Sequence, residues 1–191
     1  QLADIKPPTV PIMREQAAGA RRVTQVQHRG NFLDLGETVT AQTPAAFPPL
    51  AAGVPVDRLA LAHWLVAENN PLTARVIANR FWEQLFGIGI VASSEDFGSQ
   101  GDLPVHPELL DWLASEFVRM GWHLKPLHRL IMTSNTYRMS SRGNEEALKV
   151  DPANDLFWRF DMRRLSAEEL RDSIHAVNGT LNLKMFGPGV Y

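Results

Sequence analysis

Asn70-Pro71-Leu72-Thr73-Ala74-Arg75-Val76-Ile77-Ala78-Asn79-Arg80-Phe81-Trp82 decides the reading of this 191-residue chain. Asn70 can cap a helix through its side-chain oxygen, Pro71 suits the first helical position, and Gly87 stands just past the end. Leu72, Val76, Leu85 and Phe86, with Phe81 or Trp82, supply an apolar side. Arg75, Asn79 and Glu83 recur every four residues and share one face, while Arg80 points about 100° away from Asn79. In the favoured reading Asn79 and Arg80 bond to carbonyls and carboxylates of residues 88–104. Arg80 is then largely buried and paired with a carboxylate or carbonyls of residues 95–102 or with another polar segment, because an unpaired guanidinium among Val76, Ile77, Phe81 and Trp82 would be too costly. The competing reading is an anion or carbohydrate site with Trp82 as a stacking surface.

Outward from this segment the signals stay helical. Asp57 can cap a helix to about residue 67, with Leu61 and Leu65 on one face. His106 or the residue before it starts a third helix, with Pro107 early, a stripe of Leu109, Leu113, Phe117 and Met120, and Gly121 as its stop. A fourth begins near Pro126 and carries Leu127, Leu130 and Ile131. Residues 140–152 read as a polar connection. Ser166-Ala167-Glu168-Glu169 is a capping box opening a fifth helix, with Leu170, Ile174 and Val177 inward and Gly179 ending it. Residues 1–56 differ: Pro7, Pro8, Pro11, Pro44, Pro48, Pro49 and Pro55 punctuate them. Short strands are expected near 10–15, 22–28 and 37–40, with turns at Gly30-Asn31 and Asp34-Leu35-Gly36, and residues 45–56 as an extended connector. The fold expected is mainly α, about five helices with a small N-terminal β element, α+β overall. Its two regions are 1–56 and 57–191.

Composition narrows the classes. At 45% hydrophobic residues the chain can bury an ordinary core without a metal or disulfide. With no cysteine, thiolate zinc, iron–sulfur clusters, a cysteine nucleophile and covalent haem attachment are excluded within it. A net charge of −2 argues against nucleic acid as a partner, and the short apolar runs against a membrane span. Gln1 is not an initiator methionine, so the sequence reads as part of a longer protein.

No motif announces a reaction. None of the six histidines pairs with another at metal-binding helical spacing, and His123 and His128 straddle a helix start. Ser93-Ser94-Glu95-Asp96-Phe97-Gly98-Ser99-Gln100-Gly101-Asp102 is acidic and glycine-bearing but lacks calcium-loop spacing, so it reads as a solvated turn. Arg159, Arg163 and Arg164 beside Trp158 read as a salt-bridged helix entrance facing Asp161, Glu168 and Asp172. No metal and no cofactor are expected. The candidate polar cluster is Asn79, Arg80, Asp96, His106 and Arg138.

Asn70-Pro71-Leu72-Thr73-Ala74-Arg75-Val76, Asn79-Arg80-Phe81-Trp82, Phe86-Gly87, Asp96-Phe97-Gly98 and His106-Pro107-Glu108-Leu109-Leu110-Asp111-Trp112-Leu113-Ala114 also carry a resemblance. Leu127-His128-Arg129-Leu130-Ile131-Met132, Thr136-Tyr137-Arg138 and Leu165-Ser166-Ala167-Glu168 extend it over about two thirds of the chain. In these words the chain resembles a planctomycete-type domain of unknown function. Arg29-Gly30 and Gly36-Glu37-x-Val39 fit more weakly, with Leu35 where that family has proline. The resemblance implies the C-terminal part of an exported multidomain protein, in the periplasm or cell envelope, often with a cytochrome-c-like N-terminal domain that would hold any haem. It further implies a domain that continues past Gly187-Pro188-Gly189-Val190-Tyr191, and it supplies no catalytic residues. The function expected is a structural or interaction module whose partners are the other domains of its parent. The alternative is a hydrolase or glycan-binding domain acting on polysaccharide, with Arg80, Asp96, His106 and Arg138 converging in a cleft.

Overall fold

A computed structural model describes residues 9–185. Pro7, Pro8 and the Gly187-to-Tyr191 segment lie outside the described residues. Among those described, the architecture is mainly α with a small β element: six helices and one two-stranded antiparallel sheet. The chain divides into two compact units, Gln1–Ile77 and Ala78–Tyr191.

In the first unit, β1 (Thr24–Gln27) pairs with β2 (Leu35–Val39) in the register Thr24 to Val39 and Gln27 to Leu35, with an irregularity between Gln25 and Gln27. A 3-10 turn at His28–Gly30 joins them, closed by His28 Nδ1 and Asp34 Oδ1 at 3.0 Å. Residues 10–15 form no strand. Pro11 removes one ladder donor and every side chain there is exposed, so no buried face rewards pairing. Leu35 and Gly36 belong to β2 rather than to a turn. Helix α1 (Arg58–Leu65) starts where Asp57 Oδ1 accepts from the Ala60 amide at 2.8 Å. Glu15 Oε1 accepts from the Arg58 guanidinium at 2.6 Å. Trp64 anchors the connector: its indole N–H donates to the Pro48 carbonyl at 2.6 Å, and its ring meets Phe47 edge-on at 6.3 Å.

Helix α2 (Thr73–Phe86) begins where Asn70 Oδ1 accepts from the amides of Leu72 and Thr73. Regular helix therefore starts two residues after Pro71. It ends at Gly87, whose φ of +87° suits glycine and whose amide donates to Glu83. Ala74, Ala78, Trp82 and Phe86 are its buried row, a four-residue period displaced from the Leu72–Val76 side.

In the second unit, α3 (Pro107–Arg119) buries Leu110, Leu113, Ala114 and Phe117, one step round from the expected Leu109 edge. Its end is a Schellman motif: Trp122 N–H donates to Phe117 O, Gly121 N–H to Val118 O, and the Phe117 and Trp122 rings meet at 5.1 Å. Helix α4 (Leu124–Met132) packs on α3 through buried Leu127 and Ile131. The supposed polar connection holds a short helix, α5 (Glu145–Val150), capped by Asn144. Helix α6 (Ala167–Val177) has the expected capping box in full, and Gly179 and Thr180 complete a Schellman stop. Leu170, Ile174 and Val177 do not face inward, however: they are 53%, 53% and 88% exposed.

Candidate functional site

The site region grows from α2 and the irregular segment after it. Asn79 is 0% exposed. Its amide donates to the Val91 carbonyl at 3.0 Å and to Ser94 Oγ at 2.9 Å, and its oxygen accepts from the Val91 amide at 2.8 Å. One side chain thus closes a reciprocal pair with a backbone residue, as a strand neighbour would. Ile90 and Val91 are buried alongside, and Val105 N–H donates to Ile90 O at 2.9 Å, closing the loop on itself. Gly89 is required there, because an added Cβ would lie 2.5 Å from Val91 O and 2.7 Å from Asn79 Nδ2. At Gly101 a Cβ would meet Asp96 O at 1.8 Å.

Arg80 is not buried. Its side chain is 52% exposed and reaches Glu95, itself 88% exposed, at 3.3 Å. The loop carboxylate expected as partner is there, but the burial is not. The physical reason is functional-group inventory: the Val91 amide needs an acceptor, which a guanidinium lacks and an amide has. Asn79 takes the inward position, and the 100° step leaves Arg80 in solvent.

The other candidates are scattered among different partners. Asp96 is exposed, and its carbonyl accepts from Ser93 Oγ at 3.2 Å. His106 precedes α3 half-buried, with Nε2 3.4 Å from the Leu156 carbonyl and its ring beside Phe157. Arg138 is exposed, and its backbone amide donates to Ser134 O. Among the described residues none of Arg80, Asp96, His106 and Arg138 is hydrogen bonded to another of the four. No group of three or more His, Cys, Asp or Glu residues placed to hold a metal ion occurs there either.

Residues 151–161 are a second polar-locked loop that sequence reading missed. Asp151 accepts from the amides of Asp155 and Leu156, and Asn154 bonds Arg159 in both directions and Asp161. Asn154 and Phe157 have φ of +63° and +56°. The turn drives Phe157 into the core, edge-on to Trp82 at 5.2 Å. Asp151-Pro152-Ala153-Asn154-Asp155 is the signal that was available, since Asp and Asn satisfy their own turns and tolerate positive φ. Of the arginine patch, Arg159 pairs with Asp161 and sits 4.9 Å over Trp158, and Arg163 pairs with Glu169.

Trp82 is 3% exposed, stacked on Phe86 at 4.1 Å, so its ring is no open platform. Its indole N–H is a buried donor without a partner among the described residues. An unmet donor of this kind costs about 1–3 kcal/mol. Trp82 also forms part of the wall of a pocket of about 330 Å³ between α3 and the end of α4.

A family model described as PSD1, a protein of unknown function (DUF1553), matches residues 57–191. No curated protein and no solved structure matches the chain.

Proposed function

The chain belongs to the PSD1 family, proteins of unknown function (DUF1553), and we propose that it is a structural and interaction module of an exported multidomain protein. Its partner is another domain of the same polypeptide, and the contact is the apolar face of α6. The bare state of that face carries the reading. Helix α6 is capped at both ends, yet none of its residues is buried. An eleven-residue helix is marginal in water unless an apolar face is packed. Leu170, Ile174 and Val177 therefore belong against a surface, and the appended domains implied by the sequence resemblance are the occupant it favours. Export to the periplasm or cell envelope is part of the proposal and rests on the same resemblance; cell fractionation tests it. No helix among the described residues is long and apolar enough to cross a membrane.

Leu170→Asp combined with Ile174→Asp separates the docking face from the fold. In the isolated chain these exposed positions should shift melting by no more than about 4 °C. In the full polypeptide the same pair should speed proteolytic cutting between this chain and its neighbour severalfold. Unchanged cutting there would remove the proposal's support.

A further inference from the structure

We propose that the pocket between α3 and the end of α4 is a binding site for an uncharged pyranose unit of a glycan. Four observations converge. Trp82 is part of the pocket lining, and its indole N–H is buried without an acceptor among the described residues, a kind of group that calls for a ligand or water nearby. Trp112, on α3 at the same pocket, is 49% exposed and offers an open aromatic surface. Thr133, Ser134 and Thr136, just past the end of α4, add three hydroxyl-bearing residues to the lining. No lining residue is charged.

That combination has a definite chemical complement. A sugar ring presents a face of C–H groups for an exposed tryptophan and equatorial oxygens for donors. Two of the hydroxyls are already engaged: Thr133 donates to Arg129 O at 2.8 Å, and Ser134 accepts from the Tyr137 amide at 3.2 Å. Each keeps capacity for a second bond, and Thr136 Oγ1 has no bond among the described residues. The volume of about 330 Å³ lies at the small end of ligand pockets, enough for one ring rather than an extended chain. A charged ligand would meet no countercharge. None of Arg80, Asp96, His106 and Arg138 lines this pocket, so it is not the cleft the sequence suggested. It is also independent of the α6 face and stands or falls without it.

The chain's five tryptophans give the test a direct readout. Indole N–H signals of ¹⁵N-labelled protein are assigned by single Trp→Phe variants. They are then followed during titration with methyl glycosides of glucose, mannose, galactose and xylose, with β-1,4-linked neutral tetrasaccharides, and with glucuronate. At least one neutral sugar should move the Trp82 and Trp112 signals together, since both residues line the pocket. Trp112→Ala should weaken that binding at least tenfold and Thr136→Val about three- to tenfold. Both positions are at least partly exposed, so the substitutions leave the buried core in place, and the unshifted backbone signals of each variant verify its fold. The proposal is overturned by any of three results: no shift with any neutral sugar at tens of millimolar, shifts unaffected by Trp112→Ala, or tighter binding of glucuronate than of glucose.

Discussion

Position 79 needs a donor and an acceptor on one short side chain, and asparagine is the residue that has both. Asn79→Ala leaves the Val91 amide unmet in a dry environment, and Asn79→Asp keeps the acceptor but buries a carboxylate and loses both donated bonds. Each should cost about 2–4 kcal/mol in urea unfolding. Gly89→Ala should cost a similar amount by pushing into the same contact. The double variant should fall well short of the sum, since both break one clamp. Arg80→Ala, by contrast, removes an exposed pair and should cost no more than about 1 kcal/mol. A large loss at Arg80 with none at Asn79 would reverse the assignment. That α2 ties down residues 88–104 was legible from the four-residue spacing and the polar residues set in an apolar helix. Which of Asn79 and Arg80 takes the buried position was not, because periodicity gives a face, whereas the Val91 amide that selects asparagine is visible only once the loop is folded.

Among elements, α6 shows how local and tertiary information part. Its capping box and stop were readable residue by residue, as were the Asp57 and Asn70 caps, because those bonds close within a few positions. Helix α5 was missed: Asn144 signals a cap, but six residues are too few to show a period. In α3 the adjacent Leu109 and Leu110 leave the stripe uncertain by one step, and in the folded chain Leu110 is the buried one of the two. The N-terminus of α6 also has a definite pH response. The Arg163 guanidinium, with the Ser166 amide second, holds the Glu169 carboxyl below the ordinary glutamate range against a smaller opposing effect of desolvation. A depressed carboxyl stabilises the fold above the ordinary range, and that contribution is lost as pH falls through the depressed value. Acidification should therefore fray residues 166–169 first, seen as lower amide protection relative to the intrinsic exchange rate at each pH. In Arg163→Ala the fraying should begin at higher pH. Fraying that starts at the same pH in both proteins would show that the ion pair does not set it.

For the whole molecule, apolar surface that the sequence assigned to a core lies open. Leu61 and Leu65 of α1 are exposed as well as the α6 face. Patterning marks a residue as wanting burial, and it says nothing of whether the burying surface comes from the same chain. That is why the inward assignment of Leu170, Ile174 and Val177 was chemically sound and structurally wrong. Because the chain has no cysteine, one measurement reaches the central claim directly. Ile174→Cys places a thiol on the α6 face, and its alkylation rate, read on the peptide that carries residue 174, can be compared in the isolated chain and in the full polypeptide. Docking of α6 on a neighbouring domain predicts rapid alkylation in the isolated chain and at least a tenfold slower reaction in the full polypeptide. Equal rates in the two would contradict it.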